Sequence, residues 1–162
     1  MWRWAMSRLT ELGACVLLAS CASTPPASFG TDQAHWQGRL SVTVHSMPPS
    51  SVQAGFVLEG SPTQGTLNLF SPLGTTVASL QWRPGEAQLH QNSQPITYGS
   101  MAELTQDALG SALPMEALFD WLHGMATPVA GWQVELSQLD RGKLVARRIE
   151  PAPTVVLRLQ LD

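Results

Sequence analysis

The chain has 162 residues, a formal net charge of −3 at pH 7 and only 13% charged residues, against about 25% in a typical soluble domain. The acidic balance, with no basic cluster longer than Arg147-Arg148, argues against a nucleic-acid-binding protein. The length is that of a single domain large enough to bury a hydrophobic core.

The N-terminal segment is typical of an exported lipoprotein. Arg3 and Arg8 precede a short apolar run, and small residues lead from that run to Cys21. This order describes a bacterial export signal, and the run is shorter than the roughly 20 residues that span a bilayer. We predict a signal peptide over residues 1–20 and acylation of the Cys21 thiol. The alternative is an ordinary secretory signal that happens to have a cysteine nearby.

The segment that follows the cleavage site is rich in Pro, Ser and Ala. We therefore predict that residues 21–34 form a flexible, lipidated tether. An aspartate directly after the lipidated cysteine resembles an inner-membrane retention signal. Ala22 occupies that position instead, and the absence of the aspartate favours the outer membrane. Because Cys15 leaves with the signal, the predicted mature domain contains no disulfide. Translation can begin at Met1 or Met6 without changing the cleavage site.

Alternating polar and apolar residues predict a sheet-rich domain over residues 35–162. Turn signals such as Pro48-Pro49 and Pro84-Gly85 separate the alternating segments. Strands are predicted at 39–44, 53–59, 66–70, 76–82, 87–90 and 95–98. Short strands joined by hairpin turns are typical of an antiparallel barrel or sandwich.

Two helices interrupt the strands. Ser100 and Glu103 form a capping box for the first helix, which Gly110 ends, and Pro114 lies in the first turn of the second, which Gly124 ends. The apolar stripe of the first helix is predicted to comprise Met101, Leu104, Ala108 and Leu109. Strands resume at 131–137, 143–149 and 154–161. Short helices inserted into one sheet can close its open side.

The sequence offers no catalytic constellation. The four histidines lack the spacing of metal ligands, and neither a Gly-x-Ser-x-Gly elbow nor a phosphate-binding glycine loop is present. We therefore predict a protein that is not an enzyme, with no catalytic residues, no metal and no cofactor.

Four motifs, in this order along the chain, resemble the LolB family of outer-membrane lipoprotein receptors. They are the lipidation motif at Cys21, the first strand at 36–42, the Ser-Pro-Leu-Gly turn at 71–74, and Leu-Pro followed by Trp-Leu-x-Gly within 113–124. The resemblance is good over residues 36–136 and looser beyond. The segment after Gly124 and the C-terminal end are short for this family, which leaves open how far the barrel closes and how large its cavity is.

The resemblance implies a mainly β fold: an incomplete antiparallel barrel whose helical lid covers an apolar cavity. In the family, a leucine at the tip of an exposed loop enters the membrane. That position maps onto Leu73, between Pro72 and Gly74. On composition alone, Leu73 could equally pack under its own hairpin or be an ordinary surface leucine. The candidates for the acyl-chain cavity are Val42, Val44, Phe56, Leu58, Leu67, Leu69, Val77, Leu80, Leu118, Trp121 and Leu122.

The resemblance also implies a function and partners. A monomer anchored through Cys21 at the periplasmic face of the outer membrane would take acylated client lipoproteins from a LolA-like periplasmic carrier. It would then insert them into outer-membrane lipid. Two other readings remain open: a structural lipoprotein without a cavity, and a general lipid or acyl-chain carrier that binds phospholipid or fatty acid equally well.

Overall fold

The computed structural model describes residues 34–91 and 94–162. The predicted signal peptide (1–20), Cys21 and the tether up to residue 33 lie outside the described residues. The boundaries of these segments stay predictions.

Within the described residues, nine strands form one antiparallel sheet in the order β6-β5-β4-β3-β2-β1-β9-β8-β7. The elements are β1 (Ala34–Val44), β2 (Ser50–Gly60), β3 (Gly65–Phe70), β4 (Thr76–Arg83), β5 (Glu86–His90), β6 (Ile96–Tyr98), α1 (Met101–Leu109), α2 (Met115–Leu122), β7 (Trp132–Glu135), a 3-10 turn (Leu139–Arg141), β8 (Lys143–Arg148) and β9 (Val155–Leu161). The prediction of a mainly β, incomplete antiparallel barrel with inserted helices is confirmed.

The alternation of apolar and polar residues places one face of the sheet against the core. In β4, Ala78, Leu80 and Trp82 are buried, whereas Gln81 and Arg83, which point to the other face, are exposed. The predicted strands all form. However, β1 and β2 are longer than predicted, because they pair along their whole length, from Ala34 opposite Gly60 to Val44 opposite Ser50.

The first and last strands are neighbours in the middle of the sheet. β9 pairs with β1 from Val155 opposite Val44 to Leu161 opposite Gly38, and β8 covers its other edge. The short C-terminal region therefore still supplies three strands to the sheet. β6 and β7 are the two edges, so the barrel stays open between them.

The helix ends follow the predicted signals with two differences. The Ser100 Oγ accepts the backbone N–H of Glu103 at 3.2 Å. The Glu103 carboxylate, however, accepts the backbone N–H of Gly99 at 3.0 Å, rather than that of Ser100. Gly110, with φ of 69°, ends α1 in the left-handed conformation. Pro114 caps α2 from outside its first turn.

The inner face of α1 includes a polar residue. Ala108 of the predicted stripe is exposed but lines the apolar cavity described below, and Thr105 is buried beside the predicted residues. The Thr105 hydroxyl donates to the Met101 carbonyl at 2.8 Å and accepts the Leu113 backbone N–H at 3.0 Å. Because both bonds are satisfied, burying this hydroxyl costs little.

Candidate functional site

An apolar cavity of about 390 Å³ lies between the inner face of the sheet and the helices, chiefly α1, with Met115 and Leu118 contributed by α2. Aliphatic side chains from the sheet form most of its wall, and Met101, Leu109 and Leu113 close it from the helical side. Its polar lining groups include Tyr98 and Asp107. Such a volume is within the range of about 300–1,000 Å³ for small-ligand sites.

Eight of the eleven predicted cavity residues line this space: Val42, Phe56, Leu58, Leu67, Leu69, Val77, Leu80 and Leu118. The other three, Val44, Trp121 and Leu122, are not part of its wall and are buried in the hydrophobic core. Sequence reasoning missed the wall residues from β9, Leu157 and Leu159. Their alternation was visible, but only the pairing of β9 with β1 brings them to the cavity.

The core thus contains a hollow region and a packed region. We call the side chains around the cavity the hollow region. The packed region comprises buried core residues that do not line the cavity, including Val44, Trp121, Leu122, Leu144 and Ala146. The two regions share the inner face of one continuous sheet.

Aromatic contacts hold α2 in place. The ring of Phe119 packs edge-on against Trp36 of β1, with 5.4 Å between centroids, and against Trp82 of β4 at 6.4 Å. Trp121 lies 5.9 Å from Trp132 of β7. Because these partners come from three separate strands, moving α2 would disrupt contacts across the whole sheet.

α1 is attached in a different way. Among the described residues, the aromatic pairs involve α2 or His123, which directly follows it, and not α1. A single hydroxyl-to-carboxylate bond, from the Tyr98 hydroxyl to the Asp107 Oδ2 at 2.6 Å, joins α1 to β6. That hydrogen bond raises the pKa of Tyr98 above its ordinary value, because ionisation of the phenol would remove the donor and place a second negative charge beside Asp107. α1 is therefore held by the burial of Met101 and Leu104 and by this one polar bond, without an aromatic contact.

The β3–β4 turn presents one leucine to solvent. The Leu73 side chain is 93% exposed. The Gly74 N–H donates to the Ser71 carbonyl at 2.9 Å, and the Ser71 N–H donates to the Thr75 carbonyl at 2.8 Å. Gly74 has φ of 81°, a backbone conformation suited to glycine. The turn is thus fixed by its backbone, and Leu73 does not fold under its own hairpin.

Ionisable side chains are dispersed in the folded part of the chain. Across residues 34–91 and 94–162, no three His, Cys, Asp or Glu side chains are close enough to share a metal ion. The Nδ1 of His35 lies 3.1 Å from Glu59 at an exposed position. None of the helices within these same residues combines the length and the apolar character that spanning a membrane requires.

Comparisons of the sequence with a family model and with known proteins point to the same family. A family model described as outer membrane lipoprotein LolB matches residues 32–151. The outer-membrane lipoprotein LolB of Bordetella petrii is 33% identical over 186 aligned positions, which cover 98% of this chain and 94% of that protein. The proteins of the same name from Cupriavidus pinatubonensis and Cupriavidus necator are 38% and 40% identical over 72% of this chain. Those matches span about three fifths of the Cupriavidus proteins, 60% and 62%. The chain belongs to the LolB family.

Proposed function

We propose that this protein is a lipid-anchored lipoprotein of the outer membrane that receives other lipoproteins and inserts them into that membrane. The observation that carries the proposal is the apolar cavity under α1, in a chain of the LolB family. The clients arrive on a LolA-like periplasmic carrier, and their acyl chains enter the cavity. The protein acts as a monomer and without catalysis.

The wall of the cavity favours acyl chains. Burial of each CH₂ group contributes about 0.8 kcal/mol, and aliphatic side chains offer no competing polar contact. A lipoprotein carries at least the two chains of its diacylglycerol, which need more room than about 390 Å³. We therefore infer that α1 moves outward when a client enters, while α2 stays in place.

Transfer in this scheme needs only a gradient of affinity. The cavity must bind the acyl chains better than the carrier does, and the bilayer must bind them better than the cavity. Leu73 brings the cavity to the membrane, because burial of one leucine side chain contributes about 1.5–3 kcal/mol. The acyl group proposed on Cys21 keeps the protein at the periplasmic face of the outer membrane.

A general carrier of phospholipid or fatty acid is the second candidate. Its support is the same aliphatic wall, which recognises acyl chains whatever they are attached to. A structural lipoprotein is less well supported, since such a role requires no cavity under a helix.

The test is transfer of a radiolabelled lipoprotein from its periplasmic carrier to the chain from residue 22 onward, which retains the whole sheet and core. We expect stable uptake of the client, followed by release into liposomes. Excess phospholipid or fatty acid should compete weakly. Equal competition by free lipid would favour the general carrier, and no uptake by the folded protein would reject both.

A further inference from the structure

The outer face of the sheet carries a row of side chains that leads to the Leu73 turn. Lys143 of β8, Gln160 of β9 and Arg39 of β1 are paired in register, and the row continues through Gly55 of β2 to Phe70 of β3. The residue after Phe70 begins the turn that presents Leu73. Adjacent strands are about 4.8 Å apart, so the backbone of Arg39 lies about 10 Å from that of Phe70.

A groove of about 790 Å³ follows this row. Three cationic side chains line it, those of Arg39, Lys143 and Arg158, and we call it the cationic groove. Ser71, Pro72 and Gly74 of the Leu73 turn line the same groove. Gly55 leaves the row open between Arg39 and the turn, so the cations and the turn border one continuous depression.

The cations of the groove are available for a ligand. All three side chains are exposed, and within the described residues none of them forms an ion pair. The Asp162 carboxylate is the acidic member of the lining, so the groove carries a positive excess. Its sign is opposite to the net charge of the chain, −3.

The segment that includes the lid carries no positive charge. Residues 84–140 contain seven Asp and Glu and no Lys or Arg. This long segment includes both helices of the lid. Binding of an anion at the cationic groove therefore does not bring that anion against the acidic lid, which lies on the other face of the sheet.

We propose that the cationic groove binds the phosphate groups of anionic phospholipids when Leu73 enters the bilayer. This inference rests on the proposed function, in which Leu73 reaches the membrane. A leucine buried among acyl chains places its turn at the level of the headgroups, and the groove that shares this turn lies at the same level. Cations next to an anionic membrane surface attract it within about one Debye length, roughly 8 Å at physiological ionic strength.

The combination gives the protein two membrane signals besides its anchor. One inserted apolar side chain and a few surface cations are each weak, and stable association generally takes two signals. The apolar signal is insensitive to lipid charge, whereas the cationic groove responds to it. Membranes richer in anionic phospholipid should therefore capture the loaded protein for longer.

The test is partition of the unacylated chain, from residue 22 onward, onto vesicles of phosphatidylcholine with or without 30% phosphatidylglycerol. We expect stronger partition onto the anionic vesicles, weakened by salt. Arg39→Gln should weaken it about fivefold, as expected for one cation near an anionic surface. Arg83→Gln is the control for net charge, because it removes the same charge at the end of β4 away from the Leu73 turn, where Arg83 pairs with Glu86 at 2.9 Å. We expect it to have a much smaller effect.

The triple variant Arg39→Gln, Lys143→Gln, Arg158→Gln should lose most of the preference for anionic vesicles while its circular dichroism spectrum and uptake of client are unchanged. Leu73→Glu should instead weaken partition onto both kinds of vesicle. Equal partition of the wild type onto both vesicles, or equal losses from Arg39→Gln and Arg83→Gln, would overturn the inference. So would a triple variant that keeps its lipid preference but no longer takes client from the carrier, which would assign the groove to a protein partner. Failure of the proposed function alone would appear as lost client uptake in the wild type, with its lipid preference intact.

Discussion

At the residue scale, Leu73 is exposed because the backbone conformation of the β3–β4 turn holds it at the tip. The hydrogen bonds of the turn are made within Ser71–Thr75, so the leucine side chain contributes nothing to holding the turn. The side chain of such an exposed leucine contributes favourable free energy only when it is transferred from water to an apolar environment. The Pro-Leu-Gly sequence indicates such a tip, and the exposed side chain agrees with it.

Leu73→Glu is predicted to separate uptake of a client from its delivery. The cavity is untouched, so the protein should still take client from the carrier, but a carboxylate cannot enter the bilayer at acceptable cost. Release into liposomes should fall at least tenfold, and the melting temperature should stay the same. Met125→Glu is the control, since Met125 is also exposed but follows α2, away from the turn. Normal delivery by Leu73→Glu would remove the membrane role of this residue.

Ala78 is a small side chain whose enlargement tests the cavity by filling it. It is buried and lines the wall. In Ala78→Phe the ring takes the place of at least two methylenes of a bound chain, each contributing about 0.8 kcal/mol, so client binding should weaken about tenfold or more. Thermal stability should hold, because the ring fills existing space.

Val57→Phe provides the matched control for this substitution. Val57 lies on the outer face of β2, where it is only partly buried, and the same ring enters no cavity there. Binding can be followed by titrating an acyl-chain fluorophore. If both variants bind equally well, the space under α1 does not hold the acyl chains.

At the element scale, the two lid helices differ in how they are attached. Aromatic contacts to β1, β4 and β7 fix α2, whereas the Tyr98–Asp107 hydrogen bond is the main polar link of α1 to the sheet. Opening α1 breaks that bond and exposes Met101 and Leu104, but it breaks no aromatic contact. We therefore expect the cavity to open at α1 and not at α2.

Tyr98→Phe is predicted to loosen α1 selectively. Amide hydrogen exchange should speed up severalfold over 101–109 and stay unchanged over 115–122, and the uptake of client should become faster. Thr127→Val removes a bond of the same length, 2.6 Å from the Thr127 hydroxyl to Asp120 of α2, and should not affect α1. Unchanged exchange over 101–109 in Tyr98→Phe would show that this bond does not hold the lid.

The same hydrogen bond predicts a pH dependence with a definite sign. Its Tyr98 pKa is raised in the folded protein above the ordinary value of 10.0, so the fold favours the protonated phenol. The contribution is complete below about pH 10 and is lost as the pH rises through the raised value. The protection of α1 amides, measured relative to the base-catalysed exchange rate of an unfolded chain at the same pH, should therefore not change with pH near neutrality and should fall only in strongly alkaline buffer. Tyr98→Phe should lack that alkaline fall in protection.

At the scale of the whole molecule, local patterns predicted the elements but not how they divide the core. Period-two alternation and capping signals located the strands and helices, because each depends on neighbours in sequence. The pairing of β9 with β1 joins residues more than 100 positions apart, for which no local signal exists. Likewise, Val42 lines the cavity and Val44 does not, although the two have the same side chain in the same strand. Only the placement of α1 and α2 distinguishes them.

The division into packed and hollow regions predicts unequal responses to the same substitution. Leu144 is completely buried in the packed region, so Leu144→Ala should lower the free energy of unfolding by about 2–5 kcal/mol. Leu67 lines the cavity and is only partly buried, so Leu67→Ala removes less buried surface and enlarges a space that already exists. We expect a loss of about 1 kcal/mol or less. Urea denaturation measures both, provided the m-values agree.

The effects of the two variants on client binding should be the reverse of their effects on stability. Leu67→Ala changes the wall of the cavity directly and should alter acyl-chain affinity, whereas folded Leu144→Ala should bind as the wild type does. Equal losses of stability would mean that the hollow region is packed as tightly as the rest of the core. In that case the core would contain no unfilled apolar space for a ligand. The expected result is a larger loss of stability in Leu144→Ala together with changed binding only in Leu67→Ala. It would show that two parts of one continuous sheet have separate roles. β8 and its neighbours stabilise the domain, and the strands under α1 maintain a space that a client fills.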